Sequence, residues 1–546
     1  MNQEKRSLLA IVLSLVIFVG WYWFLGPQDP PPVPQSPQQS SHESIPPEKS
    51  GDAAPSHSMA GDLGLPLLDE TSKKGLIPIR TPLLEMVFSP YGGELQQVIV
   101  KNYFEGVEKD SPEMGLLDKE GGRGLKLVCD NCSFDLPPLS SYRPTHQGPN
   151  TLVFTGRSKD IRVIKTYLWD PDRYLLDLKI QVENLTSRPL SGYLGLGGVT
   201  QNPPPQTGFL SRMQPATNQN EIIYALGGKV HREGPGKNRN QMAQGLITWA
   251  GLDNRYFLLA VIARQLSEEQ RIDYFIQDRQ IGYRLFYPKE IWEAGQAQEI
   301  RFSVYMGPKK FEILKSVGVG LEGGIDFGWF SLAAKPILKL LQLFYTWVHN
   351  WGLSIIFLTI LVKLLLNPLQ IKSLRSMKEM QKLQPKLQEL RERYKNEKER
   401  LNMEMMQLFK SHKVNPMGGC LPMLLQMPIY IALYRVLFSS IELFHAPFFW
   451  FYRDLSAPDP YFVMPLLLGL FMFLQQRMTP SPSADPAQQK IMMIMPIMFT
   501  GFMLFLPVGL VLYILVNTSM TVIQQWMYNH GVRWRDLIRG RIRMAS

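Results

Sequence analysis

Charge is what this sequence has least of. Only 19 % of its 546 residues are Asp, Glu, Lys or Arg, while 45 % are hydrophobic; soluble proteins carry about a quarter charged. That balance excludes a disordered chain and argues against a purely soluble one. Cysteine is nearly absent. Cys129, Cys132 and Cys420 are the only three, too few for a disulfide scaffold or a four-thiolate zinc site. The 8 histidines are scattered without ligand spacing. Between 76 and 310 there is no HExxH, P-loop, Gly-rich dinucleotide turn or nucleophile elbow. The expectation is a protein that is not an enzyme and uses neither metal nor cofactor.

The gaps between charges carry the positive signal. No charge falls between Arg6 and Asp29, and only Lys363 interrupts the stretch from Lys339 to Lys372. Val414 to Tyr434, Pro460 to Gln476 and Ile491 to Val532 are charge-free. A crossing needs about 20 apolar residues, so the last gap holds two, hinged near Pro507 and Gly509. The count is six spans, at 7–26, 349–369, 416–436, 461–477, 490–506 and 508–528. The first ends in Trp21-Tyr22-Trp23-Phe24 without a small-residue cleavage site. Segment 1–26 is expected to be an uncleaved anchor rather than a signal peptide.

Basic residues in short loops set orientation. Segment 371–415 has 12 Lys/Arg against 6 Asp/Glu, and the tail 529–546 has 5 Arg against Asp536 alone. Both are expected in the cytoplasm, N-in and C-in, leaving the large segment before the second span outside. The basic faces serve topology and anionic lipid, or also meet ribosomal RNA; charge alone does not separate the two.

Segment 27–75 is rich in Pro, Ser and Gln and reads as an extended linker. From 76 to 320 short β-rich runs predict an all-β sandwich-type domain. Arg162–Leu168 and Tyr174–Val182 roughly alternate around the turn Asp170-Pro171-Asp172-Arg173, and Arg301–Tyr305 reads as the last strand. Cys129-Asp130-Asn131-Cys132, in a loop-like stretch with no βαβ context, suits a local disulfide better than redox catalysis. Segment 326–345 reads as an amphipathic helix, in the membrane interface or packed on the sandwich. Segment 373–412 carries two apolar stripes, Leu383/Leu387/Leu390/Tyr394 and Leu401/Met405/Leu408/Phe409, turning at Lys395-Asn396-Glu397. An antiparallel helical hairpin is expected there.

Lys363 is the single charge away from the ends of a span. Such a cation costs about 2.5–3.5 kcal/mol on insertion scales. It either snorkels to the cytoplasmic edge or sits in a wet groove with Thr359, Gln426, Asn517 and Thr521. No span holds an Asp or Glu to pair with it. Met-rich runs give either a soft, sequence-tolerant surface or ordinary core filling.

Asp326-Phe327-Gly328-Trp329-Phe330, Asn350-Trp351-Gly352, Lys363 with Asn367-Pro368-Leu369 and Gln384-Pro385-Lys386 follow one another in a fixed order. Asn415-Pro416 through Cys420-Leu421-Pro422, Gln426-Met427-Pro428, Asp485-Pro486 with Gln488 to Lys490, Gly509 to Tyr513 and Ile523-Gln524-Gln525 complete the series. In these motifs the chain resembles the YidC/Oxa/Alb family of membrane-protein insertases, in the Gram-negative form with a large periplasmic domain. The resemblance implies a polytopic α-helical protein of the bacterial inner membrane with a five-helix core. A hydrophilic groove would carry one cation, usually Arg in the family and here Lys363. A greasy face at Met423, Met427, Met495, Met498 and Phe499 would pass the client's apolar helix into lipid. Implied partners are nascent membrane proteins, the Sec translocon, anionic lipids and the ribosome at 373–412 and the tail, with no specific nucleic-acid sequence. A secondary transporter would want in-span carboxylates, and an anchored periplasmic enzyme would want a catalytic constellation. The sequence offers neither.

Overall fold

The computed structural model describes residues 75–108, 110–117, 122–204, 219–236, 238–328, 331–395, 397–412, 421–478 and 486–530. The expected anchor 1–26 with its span 7–26, nearly all of the linker 27–75, most of the tail 529–546 and the start of 416–436 lie outside those residues.

Two antiparallel sheets, one of 10 strands and one of 9, form the β domain between Ile77 and Pro308. Alternation drives the pairing: along Ile161–Trp169 every second side chain is buried, and this strand pairs with Leu175–Asn184, Val163 opposite Val182. Asp170 Oδ1 accepts from the Asp172 amide in the turn between them, as expected of that sequence. Ala297–Pro308 is the last strand. Val163, Leu176, Leu196, Phe154 and Tyr167 fill the space between the sheets. Cys129 and Cys132 are joined by a disulfide. The expected loop placement is corrected: Cys129 belongs to strand Arg123–Asp130, paired with Leu194 of Leu190–Gln201.

After the sheets come α1 (Phe311–Val317), α2 (Ser331–Val348), α3 (Trp351–Arg393), α4 (Lys398–Ser411), α5 (Leu421–Ser439), α6 (Val463–Met478), α7 (Pro486–Met503) and α8 (Val508–Asn529). The helix α2 does not face only a membrane interface. Ala334 and Leu338 are buried with Leu258 and Ala260 of the β domain, Phe311 of α1 and Val436 of α5, while Leu341 joins the helical core. Its other face leaves Leu332 and Trp347 exposed. Of the two readings offered by the sequence, packing on the sandwich is seen for one face; the other exposes Leu332, Leu343 and Trp347 together with Lys335 and Lys339.

The helix α3 begins at Asn350, whose side chain accepts from the Leu353 amide at 3.0 Å in an N-cap. It then runs 43 residues through Pro368 and Pro385, about 65 Å at the α-helical rise. The expected span 349–369 and the first arm of 373–412 are thus one continuous helix, not two elements. Leu383 and Leu387 are buried on that arm, and Leu390, Tyr394, Leu401, Met405, Leu408 and Phe409 are half-buried. The helices α3 and α8 are long and apolar enough to cross a membrane; Val463–Met478 and Met493–Met503 are shorter apolar helices. Between α7 and α8, Pro507 ends the turn, and the Val508 and Gly509 amides donate to Ala457 and Leu455 carbonyls at 2.8 Å each.

The β domain and the helices meet at a built joint. Arg255 Nε donates to the Phe438 carbonyl at 2.8 Å and its guanidinium lies 3.6 Å from the Phe438 ring centroid. It thereby satisfies a carbonyl at the C-terminal end of α5 that the helix cannot satisfy itself. The Tyr256 ring lies tilted and the Phe257 ring edge-on against Phe444, and Arg435 of α5 pairs with Asp326 at 3.0 Å.

Candidate functional site

Three helices bring polar residues to one place, each at i, i+4 spacing, so that they share a helix face. The helix α3 contributes Lys363 and Asn367, α5 contributes Gln426 and Tyr430, and α8 contributes Asn517 and Thr521. Lys363 Nζ donates to Thr521 Oγ1 at 2.6 Å and to Asn517 Oδ1 at 3.3 Å. Gln426 Nε2 donates to the same Asn517 oxygen at 3.2 Å, and the Asn517 amide nitrogen donates to the Tyr430 hydroxyl. Asn517 thus connects all three helices. One turn further along α3, Gln524 Nε2 donates to Asn367 Oδ1 at 2.7 Å.

Lys363 is 2 % exposed. Among the described residues no carboxylate pairs with it. Its charge is met by an amide and a hydroxyl, groups that stabilise a cation less than an anion would but that can be exchanged for a ligand's own oxygens. Snorkelling is not what the side chain does here, because its ammonium turns inward to α8. Thr359 stands apart from the rest of the expected set. It is buried, but its hydroxyl donates to the Ile355 carbonyl of its own helix at 2.6 Å and not to the cluster. Tyr430, Asn367 and Gln524 are members not expected as groove residues; the i, i+4 positions of Tyr430 after Gln426 and of Asn367 after Lys363 were the available signal.

The expected apolar face is partly open. Met495 and Met498 of α7 are about half exposed, as are Met493 and Ile494, and Ile497 more so. Phe499 packs against the helical core, and Met427 of α5 is half-buried. Met423 lies on α5, with its side chain outside the described set.

The comparisons with known proteins agree along the whole length. The family described as the YidC periplasmic domain matches residues 76–340, and the family described as 60Kd inner membrane protein matches 343–534. A protein of Syntrophus aciditrophicus named membrane protein insertase YidC is 38 % identical, over 96 % of this chain and 99 % of that one. The chain belongs to the YidC family. A second relative of the same name, from Geobacter metallireducens, is 35 % identical over 97 % of this chain and 99 % of its own. A solved structure titled as an active YidC insertase with the first transmembrane domain resolved is 18 % identical. It covers 83 % of this chain and 92 % of that one, with a TM-score of 0.37. Within the YidC family the β-sandwich is the periplasmic domain, and the helical region after it belongs to the inner-membrane part. The relatives are named insertases, not enzymes.

Proposed function

We propose that the chain inserts nascent membrane proteins into the bacterial inner membrane and helps them fold, with the Lys363 cluster as its client-binding groove. The observation that carries this reading is the choice of partners for Lys363: a buried cation held by Asn517 and Thr521 and by no acid among the described residues. A carboxylate beside the ammonium would neutralise its charge. Neutral partners leave the ammonium able to attract a client's short polar or acidic segment, which Gln426 and Asn517 can then hydrogen-bond.

In this proposal six spans, N-in and C-in, build a five-helix core behind the anchor, and the groove admits water from the cytoplasm. While the polar segment is held, the client's apolar helix leaves over Met423, Met427, Met495, Met498 and Phe499. Methionine suits such a surface because its flexible thioether adapts to many side chains. Client burial in lipid, at about 25 cal/mol per Å² of apolar surface, supplies the driving force. The α3–α4 hairpin, about 65 Å from the start of α3 at the helical rise, and the basic tail receive the ribosome and anionic lipid. The chain acts alone or with the Sec translocon.

The test is cross-linking of ribosome-stalled nascent chains to photoreactive residues placed at 363, 426, 495 and 498. Adducts from the client's polar segment at 363 and 426, and from its apolar helix at 495 and 498, are expected. Equal labelling from lipid-facing Leu364 would remove the groove.

A further inference from the structure

A second polar site lies far from the helices, inside the β domain. The turn from Ser89 to Glu94, closed by the Ser89 amide on the Glu94 carbonyl at 2.8 Å, places Gly92 and Gly93 over the edge of the sheet interior. Gly92 has φ +74° and Gly93 φ +59°, in the left-handed region where glycine is favoured. Lys165 Nζ donates to the Gly92 carbonyl at 2.8 Å and to the Leu125 carbonyl at 3.2 Å, and Tyr167 donates to the Gly93 carbonyl at 2.6 Å. Beside this turn is a cavity of about 240 Å³ bordered by Glu94, Lys126, Lys165, Tyr142 and a wall of Leu and Pro side chains that includes Leu139.

Its polar groups are not balanced among themselves. Glu94 is 3 % exposed. One of its carboxylate oxygens lies 3.7 Å from Arg123, and the other, Oε1, has no hydrogen-bond partner among the described residues. A buried acceptor left unmet is costly, so it points to a missing donor. A cation would meet that need but would face Arg123, Lys126 and Lys165. An anion would suit the lysines but would sit against Glu94. A neutral hydroxyl avoids both penalties, since it can donate to Glu94 and accept from an ammonium at once. Tyr142 and the Leu/Pro wall offer an apolar surface for carbon-bound hydrogens. The volume corresponds to about eight waters, which fits one small ring and not a chain.

We propose that this cavity binds a neutral polyhydroxyl ligand the size of a single monosaccharide unit. It stands independently of the insertion reading. The test uses the full-length protein in lipid nanodiscs free of glycolipid and of sugar-headgroup detergent. Saturation-transfer NMR is recorded with glucose, galactose and glycerol, and with acetate and glycine as charged probes. Transfer to the ring protons of at least one monosaccharide is expected. It should fall about tenfold on loss of one hydrogen bond to a charged group in Lys126→Ala, and also in Leu139→Trp, which fills the mouth without touching the Glu94–Arg123 pair. Thermal unfolding of both variants should match the parent, which separates lost binding from lost folding. Transfer to acetate or glycine but to no monosaccharide, or a monosaccharide signal that survives both substitutions, would overturn the proposal.

Discussion

Lys165 in the β domain and Lys363 in the helical region are both buried, yet they are held by different kinds of group. Lys165 donates to two backbone carbonyls, of Gly92 and Leu125, whose positions are set by a turn and a strand. Lys309, also buried, pairs with Asp253. Lys363 instead has side-chain partners, Asn517 and Thr521, on a neighbouring helix. Backbone and carboxylate partners fix a lysine in one place. Side-chain amides and hydroxyls can rotate away at little cost, which is the property that the proposed client groove requires. Lys165 and Lys309 are thus tied into the structure of the sandwich, and Lys363 is tied only to side chains of a neighbouring helix.

The largest effect should come from reversing the charge at the exchangeable site. Lys363→Glu is expected to abolish complementation of a strain depleted of its own insertase, and Lys363→Arg to support growth, because Arg keeps the cation. Normal insertion of clients with acidic segments by Lys363→Glu would sink the groove mechanism.

The β domain should behave in the opposite way, with stability responding and insertion not. Phe154 is fully buried between the sheets, and Phe154→Ala should cost about 3–5 kcal/mol, seen as a lower unfolding midpoint of the domain. Insertion of a simple client should persist, as it should on internal deletions within 76–310, whereas deleting 331–348 should stop it. That helix joins Leu338 of the sandwich interface to Leu341 of the helical core. If every deletion within 76–310 also stops insertion, the two regions are not separable in function.

Much of this division was legible in the sequence. Alternation in Arg162–Leu168 and Tyr174–Val182 signalled a hairpin, because an antiparallel sheet with one covered face writes period two into the chain. The charge gaps located α3, α5, α6, α7 and α8. The order of nineteen strands in two sheets was not legible, since pairing such as Leu190–Gln201 with Gln280–Phe286 joins segments distant in sequence whose apolar faces carry no address. The continuity of α3 through Pro368 and Pro385 was missed because proline usually ends a helix. Within the site, polarity in otherwise apolar spans singled out Lys363, Gln426, Asn517 and Thr521. It could not tell that Thr359 bonds its own backbone, because a Thr hydroxyl on a helix has that option at every position.

The lysines can also be told apart by pH. Burial pushes the Lys165 ammonium from its ordinary 10.5 down to about 8, against the opposing pull of Glu94. Between those values the unfolded chain binds a proton that the folded domain does not, so stability rises with pH there. The rise should end near pH 10. Above it, Tyr167, raised far by burial, reverses the sign, because the unfolded state then loses protons first. Lys165→Met should remove on the order of 2–3 kcal/mol of the rise between pH 8 and 10, read by denaturant unfolding at each pH. An unchanged slope would mean that the half-buried Lys126 and the buried Lys309, both also lowered by burial, carry it instead.

The smallest expected effect probes the residue that completes the site. The Tyr430 hydroxyl accepts from the Asn517 amide nitrogen, while the Tyr430 ring packs edge-on against Tyr513 at 5.6 Å. Tyr430→Phe keeps the ring contact and removes only the acceptor. The loss should be about 0.5–1.5 kcal/mol, the net worth of one hydrogen bond, and the fold should be intact. Its consequence lies in orientation. Without that anchor the Asn517 amide can flip, and its oxygen no longer faces both Lys363 and Gln426. A Tyr430→Phe protein should therefore insert clients more slowly by a modest factor, with the deficit concentrated in those whose polar segment needs Asn517. Asn517→Ala should show the same client preference more strongly, because it removes the acceptor that both Lys363 and Gln426 use. If Tyr430→Phe and Asn517→Ala slow every client equally, Asn517 is helix packing and not part of the exchangeable shell around Lys363.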